Sequence, residues 1–153
     1  MKQELNDFLV NRQKQKNEEN EKIDSKKKQH LDYFKSLYRQ VKEWMVEMEE
    51  HGVASLNLMK KALASSELAG FYIEFKEETI HFIPLRIDYE KDEQIKVIIK
   101  LSSSTVKNKI VNGIELVICG NNWWLIDQRP NHNINAKLNE DNFSDVIISL
   151  LKK

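Results

Sequence analysis

The segment 114–128, which reads IELVICGNNWWLIDQ, is the feature that most constrains the fold of this chain. Apolar side chains fill both alternating positions of its two halves, which Gly120, Asn121 and Asn122 separate. Gly and Asn tolerate the positive φ of a tight turn, so the segment predicts a β-hairpin. Strands that are apolar on both faces lie inside a sheet. Either helices cover both faces of this sheet, or one face is a concave binding surface.

Helical patterns flank the predicted sheet. An apolar stripe in steps of three and four precedes it and stops near Gly52, whose residue type favours a left-handed helix cap. The stripe comprises Leu31, Phe34, Leu37, Tyr38, Val41, Trp44, Met45 and Met48. Its width favours a core helix over a dimer zipper, although a homodimer through this helix stays open. A second helix over 55–68, capped by Ser55 and ended by Gly70, would complete an N-terminal helical hairpin.

Alternating patterns between residues 71 and 111 predict further strands. They fall at 71–75, 80–87, 94–101 and 106–111, and Asn112-Gly113 is a strong hairpin signal after the last of them. Pro84 lacks an amide donor, which favours a sheet edge or a bulge for its strand. A last helix follows Asn139, a good N-cap, and buries a stripe that runs from Phe143 to Leu151. The fold class is therefore α+β, an antiparallel meander of five or six strands with the C-terminal helix packed on the sheet.

The first 28 residues differ in composition from the rest. Leu5, Phe8 and Leu9 have helical spacing, and no apolar residue occurs over 11–22. Residues 1–28 are thus interpreted as a polar leader or tether, helical or disordered, before a single domain at 29–153. A floppy leader is favoured over a short amphipathic docking helix that would bind a partner through Leu5, Phe8 and Leu9. An extension of the next helix is the third alternative.

Composition limits the cellular compartment and the classes of partner that are expected for this chain. The net charge is zero, which gives no long-range attraction to nucleic acid or to an anionic membrane. The chain has one cysteine, Cys119, and a disulfide-free chain fits a reducing, cytoplasmic setting. No run approaches the roughly 20 apolar residues of a membrane span, so no membrane association is expected. Frequent Lys, Asn, Ile and Glu are typical of AT-rich coding and favour a bacterial or phage origin.

Motifs for chemistry are scarce in this sequence. No two His or Cys residues stand at metal-ligand spacing, and no phosphate-binding glycine motif or nucleophile elbow occurs. Cys119 falls in a strand that is expected to be buried, where a thiol is inert. Catalytic activity, a metal and a cofactor are therefore not expected.

Trp123 and Trp124 are adjacent in one predicted strand and must point to opposite faces. Both are expected in the core, because three predicted helices are available to cover the sheet. If one face is uncovered, an exposed Trp124 with Arg129 and His132 in the following loop is typical of a binding hot spot.

These observations favour a small cytoplasmic protein-binding module without catalytic activity, such as an inhibitor, an immunity-type protein, an adaptor or a chaperone. One alternative is a nucleic-acid-binding accessory protein with a basic rim of Lys107, Lys109 and Arg129 beside Trp124 and His132. A second alternative is a small-molecule-binding or enzymatic pocket on the sheet face.

Overall fold

The computed structural model describes residues 2–59, 70–85, 94–107 and 109–152. Within these ranges the chain forms a long N-terminal helix, seven strands and a C-terminal helix. In chain order they are α1 Lys2–Glu50, β1 Ala54–Leu58, β2 Phe71–Phe75, β3 Glu78–Pro84, β4 Lys96–Ser103, β5 Lys109–Cys119, β6 Asn122–Asp127, β7 Ile134–Lys137 and α2 Glu140–Leu151. The α+β class predicted from the sequence is confirmed.

The strands form one antiparallel sheet in the order β1 to β7, so each strand pairs with its neighbours in the chain. The meander is confirmed, but the predicted number of five or six strands was too low. β7 had been assigned no structure, because its four residues INAK carry too little alternation to be recognised. It forms because Leu125 and its neighbours in β6 offer a free edge with which Ala136 pairs.

The predicted N-terminal helical hairpin is wrong where its second helix should begin. Residues 54–58 form β1 instead, in which buried Ala54 and Leu56 alternate with half-exposed Ser55 and Asn57. The pairing of Leu56 with Ile73 of β2 supplies the hydrogen bonds that a helix would have made internally. The remainder of that predicted helix, over 60–69, lies outside the described residues, as do 86–93.

Asn112-Gly113 does not turn the chain, contrary to the hairpin prediction. β5 runs through both residues, and its register against β4 shifts between Ile98 and Lys100, which marks an irregularity of the bulge type. Gly113 has φ +91°, which glycine adopts without strain.

Pro84 lies neither in an edge strand nor at a bulge, the two predicted alternatives, because the register of β3 with β4 continues unbroken through it. It ends the interior strand β3 and lies beyond Phe82, the last residue that pairs with β2. Its missing amide therefore removes no hydrogen bond between β2 and β3.

Both helices pack on the same face of the sheet. Phe71 and Phe82 stack at 4.8 Å between ring centroids; Phe71 also contacts Phe34 of α1 at 5.6 Å, and Phe82 contacts Phe143 of α2 at 6.0 Å. From α1 the buried side chains are Phe34, Leu37, Val41 and Met45, as the apolar stripe predicted. No helix in the described part of the chain covers the opposite side of the sheet, here termed the open face.

α1 is one continuous helix whose first part projects from the domain. Residues 2–22 are all exposed, and Tyr33 is hydrogen-bonded to the hairpin of β5 and β6 through Trp123 and Asn121. We term residues 2–28 the arm; at about 1.5 Å per residue it is roughly 40 Å long. The arm is therefore an extension of the next helix, the third alternative above. The helix ends at Glu50, and Gly52 has φ +68°, as the sequence predicted. A domain boundary at residue 28 stays a prediction.

Candidate functional site

The hairpin of β5 and β6 is confirmed, and it separates the two tryptophans. Cys119 pairs with Asn122 across a two-residue turn in which Gly120 has φ +64°. Trp123 is buried under α1 and its Nε1 donates a hydrogen bond of 2.9 Å to the carbonyl oxygen of Tyr33. Trp124 points to the open face and is half-buried. The expectation that both belong to the core under helices therefore holds for Trp123 alone.

The open face carries a mixed apolar and basic surface. One cross-strand row places Trp124 between Val117 and Lys137, with Lys96 next to Val117. Lys96 Nζ lies 3.9 Å from the carboxylate of Glu115, and both side chains are about one third exposed, so the pair contributes little to stability. Trp124 is thus the largest aromatic group of this row that solvent still reaches.

A second aromatic contact lies on the same face, toward β2. The rings of Tyr72 and His81 are 5.5 Å apart, and His81 pairs across the strands with Lys100. Burial, and then the positive charge of Lys100, lower the pKa of His81 below its ordinary value of 6.5. His81 is therefore held neutral on this face to lower pH than a free histidine.

Asp127, Arg129 and Ser149 form a buried polar cluster, here termed the clamp, under the C-terminal helix. The carboxylate of Asp127 is 0% exposed and accepts hydrogen bonds from Arg129 Nε at 3.0 Å, Nη2 at 2.9 Å and the backbone N at 3.1 Å. Arg129 Nη2 also donates to Ser149 Oγ at 2.7 Å. The clamp therefore ties β6 and the following loop to α2.

The protonation state of the clamp follows from these contacts. Burial by itself would raise the pKa of Asp127, but the hydrogen bonds and charge of Arg129, with a smaller contribution from His132, lower it below the ordinary 3.8. His132 Nδ1 lies 3.7 Å from Asp127 Oδ2, and its side chain is 35% exposed. The acid is thus ionised and its charge is compensated inside the fold.

The residues proposed for binding do not form one site. Trp124 lies on the open face, whereas Arg129 binds Asp127 and Ser149 on the helix-covered side and is only 16% exposed. Lys107 and Lys109 are exposed where β4 connects to β5. The guanidinium of Arg129 is therefore already engaged, in contrast to these two lysines.

Leu5, Phe8 and Leu9 lie together near the start of the arm, and their exposed fractions are 60%, 62% and 48%. Their spacing places the three side chains on one side of the helix. Val10, which the sequence interpretation did not include, is 55% exposed on another side of the same turn.

Cys119 is exposed at the end of β5, so the expectation of a buried thiol was wrong; its strand ends there, and nothing covers its side chain. Among the described residues no group of three His, Cys, Asp or Glu side chains is placed to hold a metal ion. None of the helices described is both apolar and long enough to traverse a bilayer.

The chain was compared with protein-family models, with curated proteins and with solved structures, and none of the three comparisons found a match.

Proposed function

We propose that this protein is a protein-binding module that docks through the tip of α1. The proposed contact residues are Leu5, Phe8 and Leu9, and the proposed occupant of the other side is an apolar groove on a different protein. The observation that carries the proposal is the exposure of these three side chains at the end of a helix that leaves the domain. An amphipathic helix that lays i, i+3 and i+4 side chains into a groove is a recurrent mode of recognition.

The arm suits this role because residues 2–22 are all exposed. Residues 11–22 contain no apolar side chain and all are exposed, so they hold the tip away from the domain. Full burial of one Leu or Phe side chain contributes about 1.5–3 kcal/mol, and the helix is already formed, which lowers the ordering cost of binding. The polar stretch thus acts as a spacer and the apolar turn as the anchor.

The roles named from the sequence stay within this proposal. An inhibitor, an immunity-type protein, an adaptor and a chaperone all bind proteins without catalysis, and the single cysteine supports a reducing compartment such as the cytoplasm. A homodimer through α1 would have to use a surface of the helix other than the apolar stripe. Leu37, Val41 and Met45 of the proposed seam are each 0% exposed, because they pack on the chain's own sheet.

Photo-crosslinking tests the proposal directly. The photoreactive amino acid p-benzoylphenylalanine replaces Phe8 in the full chain, and crosslinked partners are recovered from native cells and identified by mass spectrometry. The control carries the same amino acid at Val46, which is 47% exposed on the body of the same helix. We expect a discrete adduct from position 8 that is absent from position 46.

A substitution set then tests the anchor. Leu5→Gln/Phe8→Gln/Leu9→Gln keeps good helix-forming residues and removes the apolar surface. Val46→Gln/Ile148→Gln is the matched control, since these exposed side chains lie outside the arm. We expect only the triple variant to lose the partner. Recovery of the same proteins with the triple variant would contradict the proposal.

A second candidate function is nucleic-acid binding, which the exposure of Lys107 and Lys109 favours. It predicts oligonucleotide binding that weakens steeply with salt, measured by fluorescence anisotropy between about 20 and 200 mM salt. Lys107→Gln/Lys109→Gln would reduce this affinity and the salt slope. No binding at the lowest salt would end this candidate.

A further inference from the structure

A surface groove opens between the last turn of α2 and the start of β5. It encloses about 390 Å³, within the range of roughly 300–1,000 Å³ of small-molecule sites. Its walls are mainly aliphatic, and the apolar residues that line it are Leu101, Val106, Ile110, Val111 and Leu150. Leu150 of α2 and Leu101, which pairs with the buried Ile80, place this groove beneath the end of α2.

The groove exists because α2 is shorter than the sheet beneath it. Leu150 is buried, but the helix ends at Leu151, and Leu101 and Val111 are only half-buried. Apolar side chains at such a site gain free energy when a ligand removes them from water.

The charged groups among the described residues that line the groove have the same sign. Lys109 and Lys152 are exposed, and none of the described lining residues carries a carboxylate. The carbonyl end of α2 contributes roughly half a negative charge, which two ammonium groups exceed. Ser149, the one hydroxyl in the lining, already donates to the carbonyl oxygen of Val146 and accepts from Arg129.

We propose that this groove binds an amphipathic anion, a monomeric carboxylate with an apolar tail. The aliphatic walls would take the tail, and Lys109 and Lys152 would pair with the carboxylate at the mouth. Small-molecule sites combine a mostly apolar lining with a few polar groups that fix orientation in this way. The proposal is independent of the arm and goes beyond the proposed protein-binding function.

Titration calorimetry with decanoate, kept below its micellar concentration, tests the proposal with the full chain. Decyltrimethylammonium has the same tail and the opposite charge. We expect decanoate to bind more tightly, and NMR amide shifts of the wild type to cluster around Val106, Val111 and Leu150. Equal binding of the two ligands, no binding of decanoate, or shifts centred elsewhere would overturn the proposal.

Charge reversal of the two lysines is the second part of the test. Lys109→Glu/Lys152→Glu should weaken decanoate binding by about tenfold and strengthen the cationic ligand, as expected for two exposed charges. The control, Lys96→Glu/Lys137→Glu on the open face, should bind decanoate like the wild type. An equal loss in both pairs would overturn the proposal, as would lysine-dependent cosedimentation with anionic vesicles, which indicates a membrane surface. If the reversed variant does not fold, the wild-type ligand comparison and shift map decide.

Discussion

Replacing Arg129 by methionine tests how the buried charge of Asp127 is compensated. Methionine keeps an unbranched apolar stem beside Gly113, whose added Cβ would lie 3.2 Å from Arg129 Cγ. The substitution removes the guanidinium hydrogen bonds to Asp127 and Ser149. Asp127, which is 0% exposed, then loses its guanidinium partner, and the imidazole of His132 stays 3.7 Å from its Oδ2.

The loss of unfolding free energy has an upper bound, because Asp127 without its cation can take up a proton instead of remaining charged. A carboxyl group with an ordinary pKa of 3.8 is about three pH units below neutrality, and each unit costs about 1.4 kcal/mol. This bound is about 4.4 kcal/mol at pH 7. We expect the free energy of unfolding to fall by about 3–4 kcal/mol at that pH, in the range for breaking buried ion pairs. At pH 5 the same bound is only about 1.6 kcal/mol.

The sign of the pH dependence is therefore specific. In the wild type the pKa of Asp127 is lowered, so its contribution is complete above pH 3.8 and is lost as the pH falls through the lowered pKa. In Arg129→Met the pKa of Asp127 is raised, so the penalty grows as the pH rises from about 4 to 7. At pH 7 the melting temperature should drop by about 6–16 °C for a chain of this length.

Urea unfolding followed by tryptophan fluorescence and by circular dichroism measures these changes at pH 5 and pH 7. The control is Asp127→Asn/Arg129→Met, which removes the trapped charge and should recover about 2 kcal/mol at pH 7 without the pH trend. A penalty that is equal at both pH values, or a double variant no more stable than Arg129→Met, would refute the reasoning.

Three further predictions concern other parts of the fold. Lys100→Gln should raise the pKa of His81 toward 6.5 without reaching it, because burial is the larger cause; an NMR titration of the histidine measures this, and an unchanged pKa would exclude the role of Lys100. Gly70→Ala should cost about 2–3 kcal/mol in urea unfolding, because its Cβ would overlap the carbonyl oxygen of Phe82. Gly120→Ala should cost only about 1 kcal/mol, for its left-handed φ alone, and the opposite ranking would contradict the contacts. Deletion of residues 2–22 should leave the melting temperature within about 2 °C, since all are exposed; a larger drop would indicate contacts with the domain.

Much of the fold could be predicted because its signals act over a few residues. The end of α1 before the left-handed Gly52, the turn at Gly120 and the N-cap at Asn139 each depend on local backbone conformation. The apolar stripes of both helices likewise follow from periodicity alone. These elements were therefore accessible without knowledge of their partners.

Other elements depend on a partner that is distant in sequence. β1 could be told from a helix only through its pairing with β2, and Asn112-Gly113 continues β5 because β4 lies beside it. A strong turn dipeptide does not turn the chain when the strand that contains it pairs with a neighbouring strand on both sides of the dipeptide. Such choices are made by tertiary contacts and leave no local pattern.

The candidate sites also depend partly on local geometry and partly on tertiary contacts. The sequence by itself determined that Trp123 and Trp124 oppose each other, and that Leu5, Phe8 and Leu9 share a helix side, because these are properties of strand and helix geometry. Only the tertiary structure decided that both helices cover one face, which buries Trp123 and leaves Trp124 on the open face. The tertiary structure also decided that Arg129 points inward to Asp127 and Ser149. A carboxylate that is buried under α2 requires a cation, and the burial of Asp127 cannot be read from its neighbours in sequence.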